Sequence, residues 1–174
     1  MASGKIIRPM LAGGDRRSIG RSDEVAELVA RRPQQAAELV ACLWDPDPRI
    51  CMRAADALEK ASREKPALLQ AHKTELLGLL ADAVQQEVRW HLALIVPRLR
   101  LTAPECRRAA KILRTYLEDR SSIVKTFAMQ GLADLALTDP ALRPMVTELT
   151  RVLSQTGTPA MRARGRTILL QWEQ

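Results

Sequence analysis

The chain has 174 residues, 47% hydrophobic and 27% charged, a composition that builds one globular domain with a real core and excludes a disordered chain. Its formal charge is +7, from 27 Lys and Arg against 20 Asp and Glu. No run of about 18 apolar residues occurs, which excludes a membrane-spanning helix. The three cysteines, Cys42, Cys51 and Cys106, lack any C-x-x-C spacing and read as reduced, buried small side chains.

Residues 1–21 carry a net +4 and four glycines, Gly4, Gly13, Gly14 and Gly20. They predict a flexible basic tail able to touch an acidic surface. They contain no apolar stretch of the kind a secretory signal needs, so a cytoplasmic location is expected. The remainder, 22–174, predicts one helical domain. Residues 22–32 form a first helix that caps it. Four proline-opened segments then follow at Pro33, Pro66, Pro104 and Pro140, spaced by 33, 38 and 36. Within each lies a polar turn: DPDP at 45–48, VQQE at 84–87, DRSS at 119–122 and TGTP at 156–159. Asp47, Asp139 and Thr158 each precede a proline and suit helix N-caps, and Thr102 with Glu105 has capping-box spacing.

After each turn comes a second apolar-periodic stretch, and the four align: Ile50–Leu58, Val88–Val96, Val124–Leu132 and Met161–Leu169. Their starts are 38, 36 and 37 residues apart, a period that signals stacked helical repeats. The units run over about 33–64, 65–102, 103–138 and 139–174. Val88, Leu92, Ile95 and Leu99 share one helical face and are expected inside. Pro97 interrupts that stretch, and a kink between Ala93 and Pro97 is expected.

On these motifs, best seen in DPDPRICMRAADAL, the chain resembles the HEAT-repeat family over about residues 33–174. The resemblance implies an all-α, right-handed α-solenoid of about four HEAT-like helical hairpins plus an N-terminal capping helix. It also implies that the basic residue at the second motif position, kept as Arg89, Lys125 and Arg162 and replaced by Cys51 in the first unit, pairs with a turn aspartate of a neighbouring unit: Asp47, Asp82 or Asp119. Second helices line the concave side in the family.

Read as rows on that side, the residues opposite the core are Met52, Asp56, Glu59 and Arg63; Trp90, Leu94, Pro97 and Leu101; Thr126, Gln130, Ala133 and Leu137; and Ala163, Thr167, Leu170 and Gln174. An exposed apolar patch often marks a partner site, and tryptophan is enriched in binding hot spots. The expected site for a protein or peptide is therefore Met52, Asp56, Trp90, Leu94, Leu101, Gln130 and Leu137; the competing reading places Trp90 in the core. His91 points toward a neighbouring unit and reads as a packed histidine, with Phe127 in the matching place of the next. A second set, Arg107, Arg108, Lys111 and Arg114, lies on a first helix and is the expected contact for nucleic acid or an acidic partner. That cluster, with Arg98 and Arg100, faces only Glu105 in sequence.

The function expected from this reading is a non-catalytic scaffold or adaptor. The alternative is a nucleic-acid-binding relative of the HEAT-like alkylpurine DNA glycosylases, with Trp90 stacking and Asp56 or Asp134 as the acid. A bilin-lyase-like activity rests on fold analogy alone. No His-Glu pair, phosphate loop or metal-ligand spacing occurs, so neither a cofactor nor a metal is expected. The uncovered outer face of the last helix, where Leu170 points away from the core, leaves a monomer and an end-to-end dimer both open.

Overall fold

The computed structural model describes residues 6–15 and 18–173. These residues form ten α-helices and no strand: α1 (Ile7–Leu11), α2 (Ser22–Arg31), α3 (Ala36–Ala41), α4 (Pro48–Glu64), α5 (Lys73–Asp82), α6 (Gln86–Ile95), α7 (Ala103–Tyr116), α8 (Ser122–Thr138), α9 (Arg143–Thr156) and α10 (Pro159–Glu173). None is long and apolar enough to cross a membrane. Along the chain, α2 packs on α4, α4 on α6, α6 on α8 and α8 on α10, while the odd-numbered helices lie beside them, each against its even-numbered successor.

Local chemistry sets the helix starts. Asp47 accepts the Arg49 amide ahead of α4, and Thr102 and Glu105 complete a capping box on α7. Asp139 accepts the Ala141 amide, and Thr158 accepts the Met161 amide at 3.4 Å. Pro33, Pro66 and Pro140 open short 3-10 turns that lead into helices, where their fixed φ fits and no amide is lost.

Pro97 acts differently from expectation. Instead of kinking a continuous helix, it sits in a 3-10 turn, Val96–Arg98, that ends α6 at Ile95. The backbone is extended at Leu99, so Leu99 still reaches the core although it has left the helix. Val88, Leu92 and Ile95 are buried as their spacing requires. The three cysteines are buried free thiols, and burial pushes Cys42 up to about 11.

The N-terminal segment departs most from the sequence reading. Part of it, residues 1–5, 16 and 17, lies outside the described residues. The rest is no free tail. Ile7 and Leu11 are wholly buried, and the Glu38 carboxylate accepts the Ile6, Ile7 and Arg8 amides at the start of α1. Arg53 of α4 is 1% exposed, and its guanidinium donates to the carbonyls of Leu11 (2.8 Å), Gly13, Asp15 (2.7 Å) and Ser18 (3.0 Å). A planar fork with five donors can hold a loop this way; a lysine cannot. Gly20 has φ +58°, and a Cβ there would lie 3.0 Å from Arg53 Nε, so the loop closes over the arginine only with glycine. The first helix of the domain, α2, thus has a partner in α1 rather than standing alone as a cap.

Candidate functional site

Helices α4, α6, α8 and α10 each keep one stripe away from the core. On α4 it is Met52, Asp56 and Lys60; on α6, Trp90 and Leu94; on α8, Phe127, Gln130, Asp134 and Leu137; on α10, Ala160, Arg164 and Thr167. Spacings of three and four residues put each set on one helix face.

Direct contacts join the stripes into one surface. Lys60 Nζ reaches Asp23 of α2 at 2.5 Å and Asp56 at 2.7 Å, and Ser22 Oγ also donates to Asp56. His91 Nε2 lies 3.5 Å from Asp56 Oδ1, too poorly aligned for a hydrogen bond. Its Nδ1 must carry a hydrogen, because it contacts the Glu87 carbonyl at 2.6 Å and a carbonyl only accepts. The Trp90 ring stacks on His91 at 3.4 Å and on Phe127 of α8 at 5.3 Å. Arg164 of α10 lies over Phe127 at 5.9 Å and donates to Gln130 Oε1 at 3.3 Å.

The chemistry of two carboxylates differs across this surface. Burial raises Asp56, but the approach of the His91 ring and the hydrogen bonds from Lys60 and Ser22 outweigh that and hold it well below the usual range. Asp134 accepts from Gln130 (2.8 Å), and its burial pushes it up despite that bond and the charges of Arg98 and Arg164.

Two open grooves flank the aromatic stack. One, about 490 Å3, lies between α8 and α10 against Ile123, Phe127, Ala163, Arg164 and Thr167. The other, about 280 Å3, lies between α2 and α4 and is bordered by Asp23, Glu27, Lys60 and Glu64.

The residues expected at a partner site fall out unevenly. Met52 and Leu94 are partly buried and Leu137 is 62% exposed. Trp90 divides between the two readings: one part packs against the core, the rest faces out with Phe127. Asp56 is held by its partners, and Gln130 bridges Arg164 and Asp134. Leu101 is only partly buried against the core, but it follows the end of α6 and does not extend the Trp90 row. Pro97, Thr126 and Ala133 are buried and leave their rows, because α6 stops early and α8 is covered on both flanks. Glu59 is buried too; Arg98 and Arg63 both bond to it at 2.6 Å.

That pairing also corrects the basic cluster, in which Arg98 is not free. Arg107 bonds to Asp139 at 3.1 Å, and Glu105 is taken by Lys73 at 2.8 Å. Arg108, Lys111 and Arg114 remain exposed on α7. The motif arginine pairs across units at one place, Arg89 with Asp119, with the guanidinium 4.1 Å above the Tyr116 ring. Among the described residues Lys125 has no such partner, and the following turn, TGTP, holds no aspartate. In the first unit Cys51 donates to the Asp45 carbonyl instead, at 3.0 Å.

Phe127, Ile123 and Arg164 are the site residues that sequence reading missed. Phe127 carries a visible signal in its alignment with His91, which the sequence alone reads as packing. Compared with family models and with curated proteins, the chain shows no match.

Proposed function

We propose that the chain is a right-handed α-solenoid of HEAT-like hairpins and a non-catalytic scaffold, which binds a protein or peptide segment on the concave face made by its even-numbered helices. The regular packing of each even-numbered helix on the next supports the architecture. It matches the period of about 37 residues at which the second helices recur.

One observation carries the binding reading. The Trp90–Phe127 stack spans two helices, stays partly open to solvent, and has Leu94 beside it and an open groove on its far side. A fixed pair of rings flanked by aliphatic side chains is a low-entropy anchor for a partner's apolar residue. The glycosylase reading loses one of its candidate acids, since Asp56 is already bound by Ser22 and Lys60.

Affinity capture from nuclease-treated lysate tests this, with wild type beside Leu94→Glu and Leu137→Glu. Leu137 is exposed and Leu94 reaches solvent at the edge of α6, so the variants are expected to keep wild-type helicity by circular dichroism. A protein identified by mass spectrometry, captured by wild type and lost by both variants, is the expected result. Equal capture by all three proteins, or recovery of nucleic acid alone from untreated lysate with release by moderate salt, overturns it.

A further inference from the structure

The two grooves on this face carry opposite charge. Between α2 and α4, Asp23, Glu27 and Glu64 outnumber Lys60, whose ammonium is already shared by Asp23 and Asp56. Between α8 and α10 the balance reverses. Arg164 is half-buried at the groove wall, held by the Gln130 amide oxygen and the Phe127 ring, and among the described residues no carboxylate lies in ion-pair contact with it. Burial raises the pKa of the neighbouring Asp134 carboxyl.

We infer that the segment this face takes is a short linear peptide with charge polarity: an acidic side chain seated on Arg164 between α8 and α10, an apolar residue on the Trp90–Phe127 stack, and a basic end over the groove between α2 and α4. The inference rests on the binding reading above and adds partner chemistry and direction to it. An arginine steadied by one bond to an amide and by a ring, with the rest of its fork facing the groove, is arranged for a carboxylate. The acidic groove disfavours a nucleic-acid strand laid along the same face, because phosphates would approach Glu27 and Glu64. The two grooves are three helix spacings apart, roughly 24–30 Å, which an extended strand covers in about eight residues.

Selection from a displayed library of random peptides about twelve residues long on the immobilised full chain tests this. Enriched peptides are expected to carry acid at one end, apolar residues between and base at the other. Synthesised singly, they should bind Arg164→Gln and Arg164→Glu about tenfold or more weakly than wild type, and lose affinity on Leu94→Glu. The neutral variant guards against a fold defect from the charge reversal, and both are checked by circular dichroism. Peptides that need Leu94 but ignore Arg164, or that show no charge polarity, sink this inference and leave the apolar site standing. Peptides indifferent to Leu94 and Arg164 alike, or no enrichment over bare resin, sink both. A fluorescent single-stranded oligonucleotide that binds wild type and loses affinity on Arg164→Glu would replace the peptide with nucleic acid.

Discussion

Trp90 and Phe127 stack at 5.3 Å between ring centroids and 27° between planes, across the α6–α8 boundary. The pair is both structure and surface, because each ring is only partly buried. Offset stacks of this kind are worth about 0.5–1.5 kcal/mol beyond the area they bury. A double-mutant cycle of Trp90→Ala and Phe127→Ala in urea unfolding should therefore return a coupling of about 0.5–1.5 kcal/mol. Strict additivity would mean that the rings act independently.

Arg53 fixes the N-terminal segment through four carbonyls. Arg53→Met keeps the apolar stem and removes every donor. The expected loss is about 3 kcal/mol or more, since buried acceptors are left unpaired. The damage should be local. Amide exchange is expected to rise over Ile7–Leu11 and α2 first, while α8 and α10 keep their protection. Uniform exchange across the chain would contradict an arginine whose bonds reach only the first helices.

This segment also marks where sequence reading ran out. The periodic core of α4, α6 and α8 was legible because Ile50, Val88 and Val124 recur with the helical repeat and meet the next unit. Arg53 occupies a core-facing position, but its partners are main-chain carbonyls forty residues away, which leave no side-chain pattern. The glycines at 13, 14 and 20 looked like freedom; in the structure they adopt positive φ around a guanidinium. The binding face was half legible. Leu94 and Leu137 follow from spacing alone, whereas the place of Arg164 comes from Phe127 and Gln130, which only the fold brings beneath it.

Glu59 gives the acid limb of stability a specific source. Burial raises its pKa, but the hydrogen bonds from Arg63 and Arg98 outweigh this and leave the folded value lowered. A carboxylate lowered on folding contributes stability above its unfolded pKa and loses it as pH falls through the folded one. Asp56 acts in the same direction. Thermal midpoints should hold from pH 7 to about 4.5 and fall below that. In Glu59→Gln the neutral-pH midpoint should drop, because Arg98 is left without its counter-charge, and the remaining acid dependence should be shallower. An unchanged slope below pH 4 would assign the acid sensitivity to other groups. Asp134 has the opposite sign: its folded pKa is raised, so Asp134→Asn should match or exceed the wild-type midpoint at pH 7.

Gly131 sits in the middle of α8, where alanine should favour the helix by about 1 kcal/mol. The packing reverses that preference. A Cβ built at Gly131 would stand 2.3 Å from the Ala93 carbonyl oxygen of α6 and 2.9 Å from Leu113 Cδ1 of α7. The leucine can turn away, but the carbonyl belongs to a helix backbone and moves only with α6. Overpacking of this kind typically costs about 1–3 kcal/mol, which exceeds the propensity gain at its upper end. Gly131→Ala is thus expected to lower the urea midpoint. Gly78→Ala, with nothing within 4 Å of its Cβ, should leave the midpoint equal or raise it. Because α6 carries Trp90 and α8 carries Phe127, the displacement should also disturb their stack, visible as a change in tryptophan fluorescence and near-ultraviolet circular dichroism. A Gly131→Ala protein as stable as wild type, with an unchanged spectrum, would show that the two helices do not approach as closely as the structure places them.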